Sequence, residues 1–341
     1  MLELVLIIVA LGASYTGVAV YRRWSEKKGI VDLPNERSSH VDPTPRGGGL
    51  VIAGVCLVGY LVATYLGGAR VSWGYLAGGV VIVGISWLDD IRSVHSAVRL
   101  LFHTVAALLF VSDAGVLRTL EIPGIAVELT LGWIAPALTV LWIVWLVNAY
   151  NFMDGIDGIA GMQALIAGLG WALAAFSGSA PGVYYFALII ASSAFGFLLL
   201  NWQPAKIFMG DAGSAFLGYT FAVLPVLASG ENSEASGRFA LTAVVVVWFF
   251  VFDSVFTFLI RLVTGQRVWT PHREHLYQRL VRSGSSHSRV SVLYGILTTV
   301  LIAVFAIAAK VDGITAVLPL FVLTGLSAVL AFYVRRKNLL T

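Results

Sequence analysis

Residues 148–158 place two carboxylates and two carboxamides between two long apolar runs. The polar residues of this stretch recur at every third position: Asn148, Asn151, Asp154 and Asp157. Ionisable groups between two membrane helices are costly, which makes them functional candidates. Because Gly155 and Gly158 favour a break in the helix, the stretch predicts an oxygen-rich pocket at a membrane surface. An ordinary polar loop is the alternative interpretation.

The adjacent pair Asp89-Asp90 ends another apolar run and offers a second acidic site. Two neighbouring carboxylates at a membrane face can bind a cation, or one of them can be held protonated by the other. Arg99 follows near the start of the next apolar run, and its guanidinium is a candidate partner for a phosphate. Simple interfacial charge would explain the same three residues.

Asp211 is the third acidic feature and lies between Gly210 and Gly213, where a further apolar run begins. Its carboxylate could cap the N-terminus of that helix. It could also bind a metal ion, since the glycines would leave room for bulky phosphates. Mg²⁺ suits such a place because it takes one or two carboxylates together with phosphate oxygens and water. No Cys/His cluster in the sequence suggests zinc.

Arg46 precedes Gly47, Gly48 and Gly49 at the start of the second apolar run. Backbone amides at a helix N-terminus, together with an arginine, can form an anion site. Anchoring of the chain by positive charge, with a flexible entry into the helix, is the alternative.

A basic segment with two histidines, His272 and His275, follows the ninth apolar run, and Arg273 lies between them. Such a cluster facing acidic segments suits a diphosphate substrate, although a solvated basic loop is also open. Asp253 lies inside the preceding apolar run. Its buried charge needs a partner, and an ion pair with Arg261 on the same helix would provide one.

The elements that must position these residues are membrane helices. The chain has 341 residues, of which 58% are hydrophobic and 12% charged, and its mean hydropathy is +0.88. Soluble globular domains carry about 25% charged residues, whereas apolar runs long enough to cross a bilayer recur along this chain. We therefore predict an all-α polytopic membrane protein that forms a single domain, residues 1–341. The net charge of +4 requires no nucleic-acid partner.

The apolar runs predict eleven membrane spans. The first run has no basic region before it and no small-residue cleavage site after it, so we interpret it as a retained span rather than a signal peptide. The predicted spans are approximately 2–20, 47–66, 72–88, 97–112, 132–147, 159–176, 182–200, 212–228, 239–260, 290–309 and 314–333.

The distribution of basic residues predicts the orientation. With the N-terminus outside and the C-terminus cytoplasmic, 18 of the 22 Lys and Arg residues lie inside. A transporter would be expected to place ionisable groups at mid-membrane, but here the polar segments cluster at the cytoplasmic face, which favours surface chemistry on a membrane-embedded substrate. On the outer side, residues 113–131 alternate partly around Pro123-Gly124, which is typical of a small periplasmic β-hairpin. The cytoplasmic segments are 22–49, 89–99, 148–158, 201–214 and 261–290.

Taken together, these motifs resemble the polyprenyl-phosphate N-acetylhexosamine-1-phosphate transferases (glycosyltransferase family 4) of bacterial envelope synthesis. Residues 34–40 and 44–49 are most similar to the branch that initiates O-antigen and related polymers. Eleven spans also suit that branch. The matching stretches are Asp89-Asp90, residues 148–158, residues 208–214 and residues 273–278.

The resemblance implies a role for each candidate. Asp211 and Asn151 would bind Mg²⁺, which Mn²⁺ could replace, and Asp89 would be a base toward the lipid phosphate or a covalent nucleophile. The expected catalytic positions are Asp89, Asp90, Asp154, Asp157 and His275, and the expected substrate-binding positions are Arg46, Arg99, Asn148, His272, Arg273 and Gln278.

Two departures from the family pattern stand out. Arg99 stands where many members have a lysine, and arginine preserves the charge. His275 matches the first histidine of a His-x-His type motif, but Tyr277 replaces the next one and Gln278 follows it. The triple histidine of the muramoyl-pentapeptide branch is absent, which disfavours a role in peptidoglycan synthesis.

The resemblance also implies a reaction, in which N-acetylhexosamine 1-phosphate passes from a UDP-sugar to undecaprenyl phosphate and UMP is released. Both reactants are anionic, so their approach needs Mg²⁺ and basic groups. The expected place is the cytoplasmic face of the bacterial inner membrane, within the lipid bilayer, and a homodimer is plausible. Two alternatives stay open: transfer of phospho-muramoyl-pentapeptide, and transport or flipping of an anionic sugar or lipid.

Overall fold

The computed structural model describes residues 1–32, 43–121, 128–266, 273–309 and 318–338. Within these ranges the chain forms thirteen α-helices and two antiparallel pairs of short strands. The helices are α1 Leu2–Lys28, α2 Gly49–Gly67, α3 Trp73–Ile91, α4 Ser96–Ala114, α5 Ala135–Met153, α6 Ile159–Ser177, α7 Pro181–Asn201, α8 Asp211–Glu231, α9 Ser236–Val246, α10 Trp248–Val263, α11 Leu276–Arg282, α12 His287–Ala308 and α13 Leu318–Asn338. The strands are β1 Val31–Asp32, β2 Thr44–Pro45, β3 Thr119–Glu121 and β4 Glu128–Thr130.

Among the described residues, ten helices are long and apolar enough to cross a membrane, and α9 with α10 forms a bent pair that makes an eleventh if it is one span. This confirms the all-α polytopic membrane architecture. The predicted ninth span, 239–260, corresponds to this bent pair: α9 ends at Val246, α10 begins at Trp248, and the two helices meet at 65°.

A buried glutamine explains how the break in the ninth span is tolerated. Gln163, on α6, is 1% exposed and donates from Nε2 to the Val246 carbonyl oxygen over 2.5 Å. Thr298 Oγ1, on α12, in turn donates to Gln163 Oε1 over 3.2 Å. Broken helices persist inside membranes only where neighbouring groups bind the freed backbone atoms. Neither glycine nor proline occupies the break, so the local sequence does not reveal it.

Helix α8 lies at the centre of the bundle and is almost wholly buried, whereas α1 lies at the edge and is mostly exposed to its surroundings. Small residues allow close helix packing in membranes. Gly213 of α8 touches the backbone of Gly49 of α2, and a Cβ at Gly218 would lie 2.6 Å from the Leu146 carbonyl oxygen of α5. The first residue of α8, Asp211, is therefore held close to the polar ends of its neighbours.

Strands β3 and β4 pair with Thr119 opposite Thr130. The residues that join them, 122–127, lie outside the described ranges.

At the same end of the bundle, two carboxylates cap helices. Glu231 accepts hydrogen bonds from the amides of Gly182 and Val183 at the start of α7, over 2.7 and 2.9 Å. Asp113 accepts one from the Gly74 amide at the start of α3, over 2.9 Å. Both groups satisfy amides that a helix N-terminus leaves free.

Candidate functional site

The polar segments predicted from the sequence meet at the opposite end of the bundle. Arg46 contacts Asp90 from Nε over 2.8 Å and Asp211 from Nη2 over 2.6 Å. Arg99 uses Nη1 to contact Asp89 and also Asp211, the latter over 3.2 Å. These five side chains, Arg46, Asp89, Asp90, Arg99 and Asp211, are called the arginine–aspartate cluster below. They bring together the last turn of α3, the first residue of α8, the first turn of α4 and the residue after β2.

Asp90 is the member of the cluster that caps α8. Its side chain is 2% exposed, and its two oxygens accept hydrogen bonds from the amides of Asp211 and Ala212 over 2.9 and 3.1 Å. A carboxylate at a helix N-terminus satisfies free amides and complements the helix dipole. The cap of α8 therefore comes from α3 rather than from Asp211, whose own carboxylate faces Arg46 and Arg99.

The prediction of an anion site at the amides of Gly47, Gly48 and Gly49 is wrong. The amides of Gly47 and Gly48 donate to the Phe208 carbonyl oxygen over 3.1 and 3.0 Å, and the Gly49 amide donates to the Met209 carbonyl oxygen over 2.9 Å. Backbone groups of the α7–α8 connection occupy them, so this entry contributes to the site through the Arg46 side chain.

The glycines around Asp211 serve close packing rather than room for phosphates. Gly210 adopts a φ of 79°, and a Cβ there would lie 2.8 Å from an oxygen of Asp90. Glycine tolerates this left-handed conformation without steric cost. Gly210 thus lets the Asp90 carboxylate reach the amides at the start of α8.

Asn151 and Asp154 have side chains that bind no described residue. Asn151 lies in the last turn of α5, and Asp154 directly follows that helix. Burial raises the pKa of the Asp154 carboxyl to about 7, and the carboxylates of Asp211 and Asp90 add to the shift against the opposing effect of Arg46. A perturbed acid without a protein partner is a candidate for ligand binding.

The charges at this end of the bundle suit a divalent cation. Asp154 and the cluster carry four carboxylates against two guanidiniums. Within the described ranges no three Asp, Glu, His or Cys side chains converge as a preformed metal cage. Mg²⁺ needs no such cage, because phosphate oxygens and water complete its coordination. The carboxylates of Asp154 and Asp211, whose charges interact, are oxygen donors of the kind that Mg²⁺ takes, and Asn151 in the turn before Asp154 would add a third.

Asp157 belongs to a neighbouring buried network. Its Oδ2 accepts from the Ala205 amide over 3.1 Å, and its own amide donates to His287 Nδ1 over 3.3 Å. Ser291 Oγ donates to the Asp157 carbonyl oxygen over 2.9 Å. These bonds join the segment to the α7–α8 connection and to α12. In this geometry Asp157 holds the segment in place against its neighbours, and its catalytic role stays a prediction.

A buried carboxylate anchors the start of α11. Asp253 is fully buried, and its Oδ1 lies 3.2 Å from His275 Nδ1 and 2.8 Å from the Leu276 amide. Its Oδ2 accepts from the Tyr277 amide over 3.1 Å and from the Tyr294 hydroxyl over 2.6 Å. These contacts of Asp253 fix the position and the ring orientation of His275.

The expected ion pair between Asp253 and Arg261 is wrong. Arg261 Nη1 instead lies 3.0 Å from Glu274 Oε2. The amides at the start of α11 satisfy the buried Asp253 carboxylate, so it needs no guanidinium. A carboxylate inside an apolar run, followed by a predicted helix start in the next polar segment, is the sequence signal that could have identified this anchor.

The other predicted substrate-binding residues of this segment differ in their surroundings. Gln278 Oε1 accepts from the His275 amide over 3.3 Å and so caps α11. Arg273 Nη2 is buried without a hydrogen-bond partner among the described residues, which leaves it available to an anion. His272 lies outside the described ranges.

Asn148 faces α4. Its Nδ2 donates to the Val144 carbonyl oxygen over 2.7 Å and lies 3.3 Å from His103 Nδ1. The amide nitrogen is thus used inside the protein, and the substrate-binding role of Asn148 stays a prediction.

Comparison with known proteins identifies the family of this chain. Residues 72–229 match the model of Glycosyl transferase family 4. The chain is 33% identical to the probable undecaprenyl-phosphate N-acetylglucosaminyl 1-phosphate transferase of Bacillus subtilis, over 85% of this chain and 80% of the relative. It is 31% identical to the decaprenyl-phosphate N-acetylglucosaminephosphotransferase of Mycobacterium leprae, over 90% and 85%. It is 29% identical to the undecaprenyl-phosphate alpha-N-acetylglucosaminyl 1-phosphate transferase of Escherichia coli, over 84% and 78%. The chain therefore belongs to the polyprenyl-phosphate N-acetylhexosamine-1-phosphate transferase family.

Proposed function

We propose that the protein transfers N-acetylhexosamine 1-phosphate from a UDP-sugar to undecaprenyl phosphate, with release of UMP. One observation carries the proposal: the arginine–aspartate cluster and the Asp154 carboxylate, whose charges interact, lie at one end of a bundle of membrane helices. The relatives are named for N-acetylglucosamine, so UDP-N-acetylglucosamine is the first donor to test.

In the proposed reaction a lipid phosphate oxygen attacks the β-phosphorus, and the bond from that phosphorus to the oxygen it shares with the α-phosphate breaks. Arg46 and Arg99 supply positive charge for the two anionic reactants, and Arg273 offers a further donor. The carboxylates that surround Arg46 raise its pKa despite its burial, so it stays charged. Bound Mg²⁺, held by Asp211, Asn151 and Asp154, would neutralise charge on the diphosphate and on the leaving UMP.

We propose direct displacement rather than a covalent aspartyl intermediate. Asp89 accepts a hydrogen bond from the Val94 amide over 2.7 Å with one oxygen and contacts Arg99 with the other. Both oxygens are thus engaged, and an ionised lipid phosphate is itself a nucleophile. Asp89 would act by holding Arg99 in place, since the lipid phosphate needs no base once it is ionised.

We also propose that the site faces the cytoplasm of a bacterial inner membrane and that its product starts O-antigen or a related polysaccharide. The asymmetry of Lys and Arg supports this orientation. Soluble UDP-sugars would then reach the site from water, while the lipid phosphate would reach it from the bilayer.

The test supplies purified protein with undecaprenyl phosphate, Mg²⁺ and a panel of donors: UDP-N-acetylglucosamine, UDP-N-acetylgalactosamine, their 6-deoxy analogues and UDP-muramoyl-pentapeptide. We expect equal amounts of UMP and of lipid diphospho-sugar, identified by mass, with at least one N-acetylhexosamine donor and none with the pentapeptide. Asp211→Ala and Asp89→Asn should abolish both products while the protein stays folded. If no donor yields UMP or a lipid-linked sugar, the proposal fails.

A further inference from the structure

We propose that Tyr277 is a positioning residue for the active-site segment 152–155 and acts through its hydroxyl group. The inference rests on the proposed function, because it assigns Tyr277 to the placement of Asp154 for that reaction. It goes beyond the cap and anchor contacts described above, which concern the start of α11 alone.

The end of α5 needs a hydrogen-bond donor from elsewhere. An α-helix leaves its last four carbonyl groups without partners of its own, and α5 ends at Met153. The Tyr277 hydroxyl donates to the Phe152 carbonyl oxygen over 3.0 Å. Burial, and next the charge of Asp253, raise the pKa of Tyr277 well above its ordinary value, so the phenol keeps the proton that it donates.

The same hydroxyl occupies the space beside Gly155. A Cβ built on Gly155 would overlap the Tyr277 oxygen, while the next atom, the ring Cζ, would lie at 3.1 Å. Gly155 has no left-handed φ that would exclude a side chain. The phenol oxygen, rather than the backbone conformation, therefore requires a glycine at this position.

Tyr277 is itself held firmly. It is fully buried, and its amide is bonded to Asp253, which is also fully buried. Asp154 lies between the two backbone positions that the phenol touches, and its carboxylate has no partner that would fix it. The placement of that carboxylate thus depends on Phe152 and Gly155, and through them on Tyr277.

The first experiment replaces Tyr277 by phenylalanine and measures the turnover rate against Mg²⁺ concentration. We expect Tyr277→Phe to raise the Mg²⁺ concentration for half-maximal rate by about tenfold, as loss of a group that supports a metal ligand does. Tyr219→Phe is the matched control. It removes a buried hydroxyl that lies 3.2 Å from the Gly74 carbonyl oxygen, near the opposite end of the bundle. It should lower the melting temperature and leave the Mg²⁺ dependence unchanged.

The second experiment tests the contact by suppression. Gly155→Ala should lose most activity, and the double variant Gly155→Ala/Tyr277→Phe should recover part of it, because removal of the hydroxyl makes room for the methyl group. Gly158→Ala should not be rescued by Tyr277→Phe, since Gly158 has a φ of +80° and its Cβ would meet the Trp202 ring at 3.0 Å. Melting temperatures of the same proteins should show the same pattern of rescue.

The outcomes separate the inference from the proposed function. If the wild type is active but Tyr277→Phe behaves like Tyr219→Phe, or the double variant is no better than Gly155→Ala, the positioning role is overturned alone. If the wild type releases no UMP with any donor, the proposed function fails and the reaction role of Tyr277 fails with it, whereas the melting temperatures still decide whether the phenol sets the space at Gly155.

Discussion

Asp154 is the acid of the site whose charge the protein compensates least. Burial raises the pKa of its carboxyl from the ordinary 3.8 to about 7, helped by the carboxylates of Asp211 and Asp90. A pKa that is higher in the folded state means that protonation favours folding. This stabilisation is complete below pH 3.8 and is lost as the pH rises through about 7.

The variant Asp154→Asn tests that pKa without any assay of activity. Asparagine cannot ionise, so without divalent cations the variant should melt a few degrees higher than the wild type at pH 8. The difference should shrink as the pH is lowered toward 4. Equal melting temperatures at pH 8 would show that the Asp154 carboxyl is not perturbed.

The two arginines of the cluster should differ in their tolerance of lysine. Arg46 uses Nε and Nη2 to bind two carboxylates at once, over 2.8 and 2.6 Å, whereas Arg99 uses Nη1 alone. A lysine ammonium is a point charge that cannot reproduce a fork. We expect Arg99→Lys to keep kcat/KM within about tenfold and Arg46→Lys to lose about 100-fold or more. Equal losses in the two variants would contradict this distinction.

Residue types alone identified the five members of the cluster, because charged groups at membrane boundaries are rare and costly. The partners of each group could not be predicted. The amides of Gly47 and Gly48 bind the Phe208 carbonyl oxygen, and Asp90 caps a helix distant from it in sequence. Such pairings depend on how helices pack, which local sequence does not encode.

The element that departs from expectation is the broken pair α9–α10. Gln163→Met removes the donor to the Val246 carbonyl oxygen and leaves that buried group unsatisfied, which costs about 1–3 kcal/mol. We expect a lower melting temperature than for Thr298→Val, which removes only the 3.2 Å bond to Gln163 Oε1. If both variants melt together, Gln163 does not support the break.

The sequence predicted where membrane helices occur in this chain, but it did not predict the break between α9 and α10. Each of the eleven apolar runs forms a helix or the bent pair, since the length of an apolar run follows from the thickness of the bilayer. The carbonyl group that the break leaves free at Val246 is satisfied by Gln163, a residue of another helix. The anchor of α11 likewise comes from Asp253 on α10.

At the scale of the whole molecule, the orientation can be tested by cysteine labelling. Cys56 is the single cysteine and is buried, so introduced thiols can be followed. Arg118 and Arg92 are both exposed, at opposite ends of the bundle. A membrane-impermeant maleimide should label Arg118→Cys in intact spheroplasts and Arg92→Cys only after permeabilisation. The reverse pattern would place the arginine–aspartate cluster on the outer face.

The reaction that we propose is transfer of a sugar together with its phosphate at the polar end of the bundle. The most direct measurement uses UDP-N-acetylhexosamine labelled with ³²P at the β-phosphorus, purified protein, undecaprenyl phosphate and Mg²⁺. We predict that the label moves to the lipid in equal amount with unlabelled UMP and that Asp211→Ala stops both. Label that stays with the nucleotide, released as UDP, would contradict the claim.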